Sequence, residues 1–157
     1  QNELWRIVSK SGSGSSGRVT LVGASCYGSV TINAGVSSSV SNVNSKLTVL
    51  ANKYRYYGEV NSAKPINEND ISTYSRYGGT VSCDYFAYPG SVYTSYAVFV
   101  PRNSNSKVTY TADYVKNRLK QNKSGGTRVV LELKSGVYVT TTNDGGSSYK
   151  PLTIGYR

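Results

Sequence analysis

Short alternating runs dominate the chain. Glu3-Leu4-Trp5-Arg6-Ile7-Val8-Ser9 reads as a strand, and Arg18-Val19-Thr20-Leu21-Val22 reads as its partner. The Gly/Ser stretch 11–17 between them predicts a hairpin with a long, loose connection. Nine or so residues before it are too few to make a domain, so a linker is the poorer reading. A short third strand is predicted over 29–33, and the Ser/Val/Asn stretch 36–45 is assigned to loop or edge.

From Lys46 the alternation is regular. Lys46, Thr48 and Asn52 fall on one face, and Leu47, Val49 and Ala51 fall on the other. Period two predicts a strand over 46–52, extending through Lys53-Tyr54-Arg55-Tyr56-Tyr57 towards Val60. Residues 61–78, with Pro65 and several amide and acidic residues, predict a long loop. Strands are predicted over 80–88 and 92–100, separated by the turn signal Pro89-Gly90.

One helix is predicted, near residues 111–122. Thr111 can cap it, Asp113 sits in its first turn, and Ala112, Val115 and Leu119 share a face. Gly125-Gly126 would end it. Strands are predicted over 128–133, 137–142 and 152–156. The expected class is therefore mainly β, or α+β, with an antiparallel sheet, an N-terminal hairpin and one short helix in a single domain over 1–157.

Composition adds the chemistry. The chain has 18 Lys+Arg against 8 Asp+Glu, a formal charge of +10, together with 15 tyrosines and no histidine. The charge points to a polyanionic partner. Tyrosine supplies rings that stack on bases or sugars or fill an interface. The missing histidine removes the commonest general base and metal ligand, which argues for binding or assembly over catalysis. No catalytic residue, metal site or cofactor is therefore assigned. Glu59, Glu68, Asp70 and Asp84 are the only pool for a paired-carboxylate hydrolase, and solvated loop positions explain Glu68 and Asp70 as well. No apolar run is long enough to span a bilayer.

Cys26 and Cys83 are compatible with a disulfide between them, with free buried thiols, or with inter-subunit pairing. The absence of methionine and the bulky Gln1 favour cleavage of a signal peptide before Gln1. Asn122-Lys123-Ser124 matches a glycosylation acceptor, a common chance match.

Eight cations crowd residues 102–134: Arg102, Lys107, Lys116, Arg118, Lys120, Lys123, Arg128 and Lys134. They read either as a solvated face or as a phosphate-contacting surface. Tyr54, Tyr56 and Tyr57 interleave with Lys53 and Arg55, a pattern that suits a single-strand stacking platform, an ordinary half-buried edge strand, or a glycan or subunit face.

The segment Lys46-Leu47-Thr48-Val49 resembles the coat proteins of single-stranded RNA bacteriophages. So do the hairpin around Trp5-Arg6-Ile7-Val8 and Arg18-Val19-Thr20-Leu21, and Tyr96-Ala97-Val98-Phe99-Val100 before a capped helix. The resemblance covers about the first 122 residues. It implies a virion subunit that dimerises, builds an icosahedral shell and packages RNA. It also implies that Lys46, Thr48 and Asn52 face the RNA. Charge and ring character add Lys53, Arg55 and Tyr85 to that set. The competing expectation is a secreted β-sandwich: an adhesin, a pilus-type subunit or a glycan-binding module.

Overall fold

The structure is a computed structural model. It describes residue 3 and residues 5–12, 14–32, 39–74, 81–89, 96–104, 107–111, 123–140 and 153–156. The chain is mainly β. Strands β1 (Trp5–Ser11) and β2 (Arg18–Gly23) form the expected antiparallel hairpin, with Trp5 opposite Gly23 and Ser11 opposite Arg18. β3 (Tyr27–Ile32) follows, then helix α1 (Ser39–Asn52), a 3₁₀ turn (Lys53–Tyr56), β4 (Val60–Pro65) and a short helix α2 (Glu68–Thr73). The remaining strands are β5 (Tyr85–Ala87), β6 (Tyr96–Val100), β7 (Val108–Thr111), β8 (Lys123–Thr127), β9 (Val129–Leu133), β10 (Val137–Thr140) and β11 (Thr153–Tyr156).

Two sheets and a separate pair result. One sheet has the order β1-β2-β9-β4, the other β3-β8-β5-β6-β7, and β10 pairs with β11. All pairings between these strands are antiparallel except β5 with β8. The two larger sheets share a bent pair of chain segments. β2 and β3 are consecutive, β8 and β9 are separated only by Arg128, and β2 pairs with β9 while β3 pairs with β8.

The bend is held by buried polar and covalent contacts. Arg128 is fully buried, and its Nε donates to the Gly23 carbonyl at 3.0 Å. Cys26 on the same corner is bonded to Cys83, with a Cα–Cα separation of 6.2 Å. Gly126 is needed here: a Cβ would lie 2.7 Å from the Cys26 Cβ and 3.0 Å from the Gly28 carbonyl oxygen. Gly125-Gly126 therefore serve close approach within β8 and do not end a helix.

Strand alternation divides the core. Phe86, Ala97 and Phe99 face α1, where they meet Val30, Ile32, Val43, Leu47 and Tyr110. Tyr85, Ala87, Val98 and Val100 face the other way and pack with Val22, Ile66 and Val130. The end of α1 crosses to the first sheet, where Ala51 and Tyr54 pack on Val19, Leu21, Leu131 and Leu133.

The structure overturns several expectations of local structure. Residues 39–45, assigned to loop or edge, belong to α1, and Lys53–Tyr56, expected to continue a strand, form a 3₁₀ turn. Residues 46–52 are helical, because Val43, Leu47 and Ala51 recur every four residues and are all buried, and Tyr54 continues the stripe. Val49, placed with them by period two, is 69% exposed. The predicted loop 61–78 contains β4 and α2. Asn67 caps α2: its side chain accepts from the Asp70 N–H, and the Asp70 carboxylate accepts from the Asn67 N–H. The strand expected over 80–88 is reduced to Tyr85–Ala87. Thr111, the expected helix cap, is the last residue of β7, and the rest of the predicted helix, 112–122, lies outside the described residues.

Candidate functional site

The end of α1 and the turn after it carry the largest exposed rings among the described residues. Lys46, Val49 and Lys53 are spaced i, i+3 and i+7, so they line one outward ridge of the helix. The backbone then tightens: the Tyr57 N–H donates to the Tyr54 carbonyl at 3.2 Å, and Tyr57 itself is extended (φ −74°, ψ 132°). Ending the helix in this way turns Arg55, Tyr56 and Tyr57 outward. Tyr56 is 90% exposed and Tyr57 61%.

Tyr54 anchors this projection from below. Its ring meets Trp5 edge-on at 5.0 Å, and Trp5 lies 5.6 Å from Tyr27. On the outer side Tyr54 stacks with Tyr57 at 6.1 Å and an interplanar angle of 26°. Tyr57 is thus held by a packed aromatic column, and rigid rings lose little entropy when a ligand stacks on them. The Tyr54 hydroxyl donates to Glu3 Oε2 at 2.7 Å. Burial, and then this bond, push the Tyr54 hydroxyl well above the ordinary tyrosine range. Lys53 Nζ lies 3.6 Å from Glu3 Oε1 and 4.7 Å from the Tyr54 ring centre.

Two shallow cavities flank the rings. One, of about 270 Å³, is lined by Lys53, Tyr56 and Tyr57. The other, of about 320 Å³, is lined by Asn52, Arg55 and Tyr56. Arg55 makes no ion pair among the described residues, and neither does Lys46. The surface therefore offers positive charge, an amide and two open ring faces, which is what stacking on a flat ligand beside an anion requires.

The expected site residues separate into two groups. Lys46, Asn52, Lys53 and Arg55 lie together on this helix end and turn, although not on a strand. Thr48 is half-buried on the inner side: its hydroxyl donates to the Asn44 carbonyl at 3.1 Å and lies 3.3 Å from the Tyr88 hydroxyl. Tyr85 is corrected outright. It is fully buried in the core with its ring 5.5 Å from the Arg128 guanidinium, so it offers no face to a ligand. Burial raises its hydroxyl, against the lowering effect of Arg128.

The basic region 102–134 does not form one surface among the described residues. Arg102 is held by Asp84, which accepts from its backbone N–H at 2.7 Å and lies 3.4 Å from its Nε. That backbone bond is the main reason the Asp84 carboxyl sits below the usual range. Lys107 pairs with Glu68 at 3.1 Å, Lys123 lies 6.0 Å from the Phe99 ring centre, and Arg128 is buried. Lys116, Arg118 and Lys120 lie outside the described residues.

Three of the four candidate acids are likewise occupied. Glu68 and Asp84 are paired as described, and Asp70 both caps α2 and pairs with Lys64 at 3.2 Å. Among the described residues, no three His, Cys, Asp or Glu side chains gather as metal ligands. No helix there is long and apolar enough to cross a membrane.

Sequence reasoning missed Glu3, Trp5 and Tyr27 as parts of this site. The four-residue spacing of Val43, Leu47 and Ala51 was the signal that would have turned the basic ridge outward as a helix. Nothing in the sequence pairs Glu3 with residues fifty positions away. Comparison of the chain with protein-family models, curated proteins and solved structures finds no match.

Proposed function

We propose that this chain is a self-assembling coat subunit that packages single-stranded RNA and touches the strand through Lys46 and residues 52–57. The observation that carries the reading is the placement of two exposed rings, Tyr56 and Tyr57, beside Lys53 and Arg55. Each base stacked on such a ring contributes roughly 1–3 kcal/mol without regard to sequence. Lysine and arginine contribute by releasing counterions from phosphate. The overall charge of +10 favours a polyanion over a neutral sugar as the flat ligand. Copies of the chain are the second partner, through a dimer that builds an icosahedral shell. The resemblance of the hairpin and of Tyr96-Ala97-Val98-Phe99-Val100 to phage coat proteins supports that part.

Size-exclusion chromatography with the 260/280 nm absorbance ratio tests both halves at once. A megadalton peak rich in nucleic acid is expected. A monomer that stays free of RNA at low salt ends the proposal. With Lys46, Lys53 and Arg55 as the phosphate contacts, the salt slope for a single strand is about −2. Raising salt fourfold should then weaken oligonucleotide binding roughly fifteenfold.

A second reading has its own observation. The Cys26–Cys83 bond suits a protein that resides in an oxidising compartment, and so supports a secreted adhesin, pilus-type subunit or glycan-binding module. On that reading the same rings stack on sugars, and binding is insensitive to salt.

A further inference from the structure

We infer that Lys53 Nζ and the Tyr54 hydroxyl form a phosphate subsite, and that the Glu3 carboxylate holds its place until a backbone phosphate of the bound strand displaces it. The inference rests on the RNA reading above and names how the strand's charge is received.

The geometry is that of a small anion site. Two donors from adjacent residues converge on one carboxylate, the hydroxyl at 2.7 Å and the ammonium at 3.6 Å. Carboxylate and phosphodiester are both acceptor-only anions of similar reach, so donors that satisfy one satisfy the other. Exchange is cheap because the Lys53 and Glu3 side chains are 51% and 32% exposed, and exposed ion pairs are weak.

The subsite is coupled to the stacking surface. Lys53 also lines the cavity beside Tyr56 and Tyr57, so a phosphate on Lys53 places the neighbouring base against those rings. Tyr54 stacks under Tyr57 and touches Trp5 edge-on. Displacing Glu3 alters the environment of Tyr54, and Trp5, the only tryptophan, reports it. Glu3 thus screens Lys53 from weak anions while leaving it open to a strand that stacks at the same time.

The test compares Glu3→Gln with wild type for binding of a fluorescein-labelled oligouridylate, read by anisotropy. Glu132→Gln is the control: it removes the same charge at the Arg18–Glu132 pair. Near-UV circular dichroism confirms that both variants fold. Glu3→Gln is expected to bind about two- to fivefold tighter, the range set by losing one exposed ion pair. It should also shift Trp5 emission towards that of RNA-bound wild type. Glu132→Gln is expected to stay nearer wild type. If Glu3→Gln binds no tighter than Glu132→Gln, the displacement idea is overturned, while weaker binding by Lys53→Ala would leave the RNA reading standing. If wild type does not bind the oligouridylate, the RNA reading falls and the subsite with it.

Discussion

Replacing Arg128 would measure what the corner between the two sheets contributes. The residue is fully buried, donates to the Gly23 carbonyl at 3.0 Å and lies 5.5 Å from the Tyr85 ring centre. Burial lowers the pKa of its guanidinium, with Tyr85 acting in the opposite sense. Arg128→Ala removes the donor and the stem together. An orphaned buried carbonyl costs about 1–3 kcal/mol. The lost packing of a long stem beside Tyr85 adds a cavity cost of about 2 kcal/mol or more. The expected loss is therefore on the order of 4 kcal/mol. Arg128→Met keeps most of the volume and removes a buried charge whose desolvation opposes folding. It still orphans the Gly23 carbonyl, so its expected cost is about 2 kcal/mol. Urea unfolding followed by Trp5 fluorescence gives both numbers, provided the slope with urea is unchanged. An alanine variant within about 1 kcal/mol of wild type, or a methionine variant worse than alanine, would refute the assignment of Arg128 as a structural pin.

Three further outcomes follow from the same contacts. Reduction of Cys26–Cys83, or Cys26→Ser with Cys83→Ser, opens a loop of sequence separation 57 and should cost about 4 kcal/mol in thermal or urea unfolding; a stability unchanged by reductant would contradict the pairing. Tyr54, Tyr74 and Tyr85 all have raised hydroxyl pKa values in the fold. Their stability contribution is complete below the unfolded tyrosine value near 10 and is lost as pH rises above it, by up to about 1.4 kcal/mol per pH unit for each. Tyr54→Phe should flatten the alkaline part of a pH-stability curve, and an unaltered slope would show that Tyr54 ionises as readily folded as unfolded. Val49→Ala should leave stability equal or raise it by a few tenths of a kcal/mol, because an exposed helical valine gains helix propensity on truncation; a loss above about 2 kcal/mol would instead fit a buried strand position.

The fold was legible where a single period explains a segment. The β1–β2 hairpin, β3 and β10 mostly alternate between apolar and polar positions, β9 is a short apolar run broken only by Glu132, and all of them form close to where expected. Residues 46–52 failed because Leu47, Val49 and Ala51 satisfy period two while Leu47, Ala51 and the flanking Val43 satisfy period 3.6. The shorter window favours the strand, and only the longer one, reaching back to Val43 and on to Tyr54, identifies the helix. β4 and α2 were hidden by Pro65 and by a cluster of amides and acids that reads as loop. The Asn67 and Asp70 spacing was nevertheless a capping signature in plain view. Arg128 could not be placed, since a cation between two strand segments looks solvated until the second sheet is there to bury it.

The candidate site depended on the phase of that one helix. Tyr54, Tyr56 and Tyr57 are the same residue type within four positions, yet one is buried under Trp5 and two stand in solvent. On a strand, Tyr54 and Tyr56 would share a face and Lys53 would share the other with Arg55 and Tyr57. On the observed helix and turn, Tyr54 supports Tyr57 from beneath, while Lys53, Arg55, Tyr56 and Tyr57 meet around two adjoining cavities. The strand arrangement would have spread charge and rings over two surfaces, only one of which a ligand could touch. The helical arrangement brings them to one place, so a stacked base and its phosphate can be met together. On the proposed reading that convergence turns the basic and aromatic composition of this segment into a binding surface, so substitutions at Tyr56 and Tyr57 should act on binding alone, while those at Tyr54 should act on stability and, through its hydroxyl, on the phosphate subsite as well.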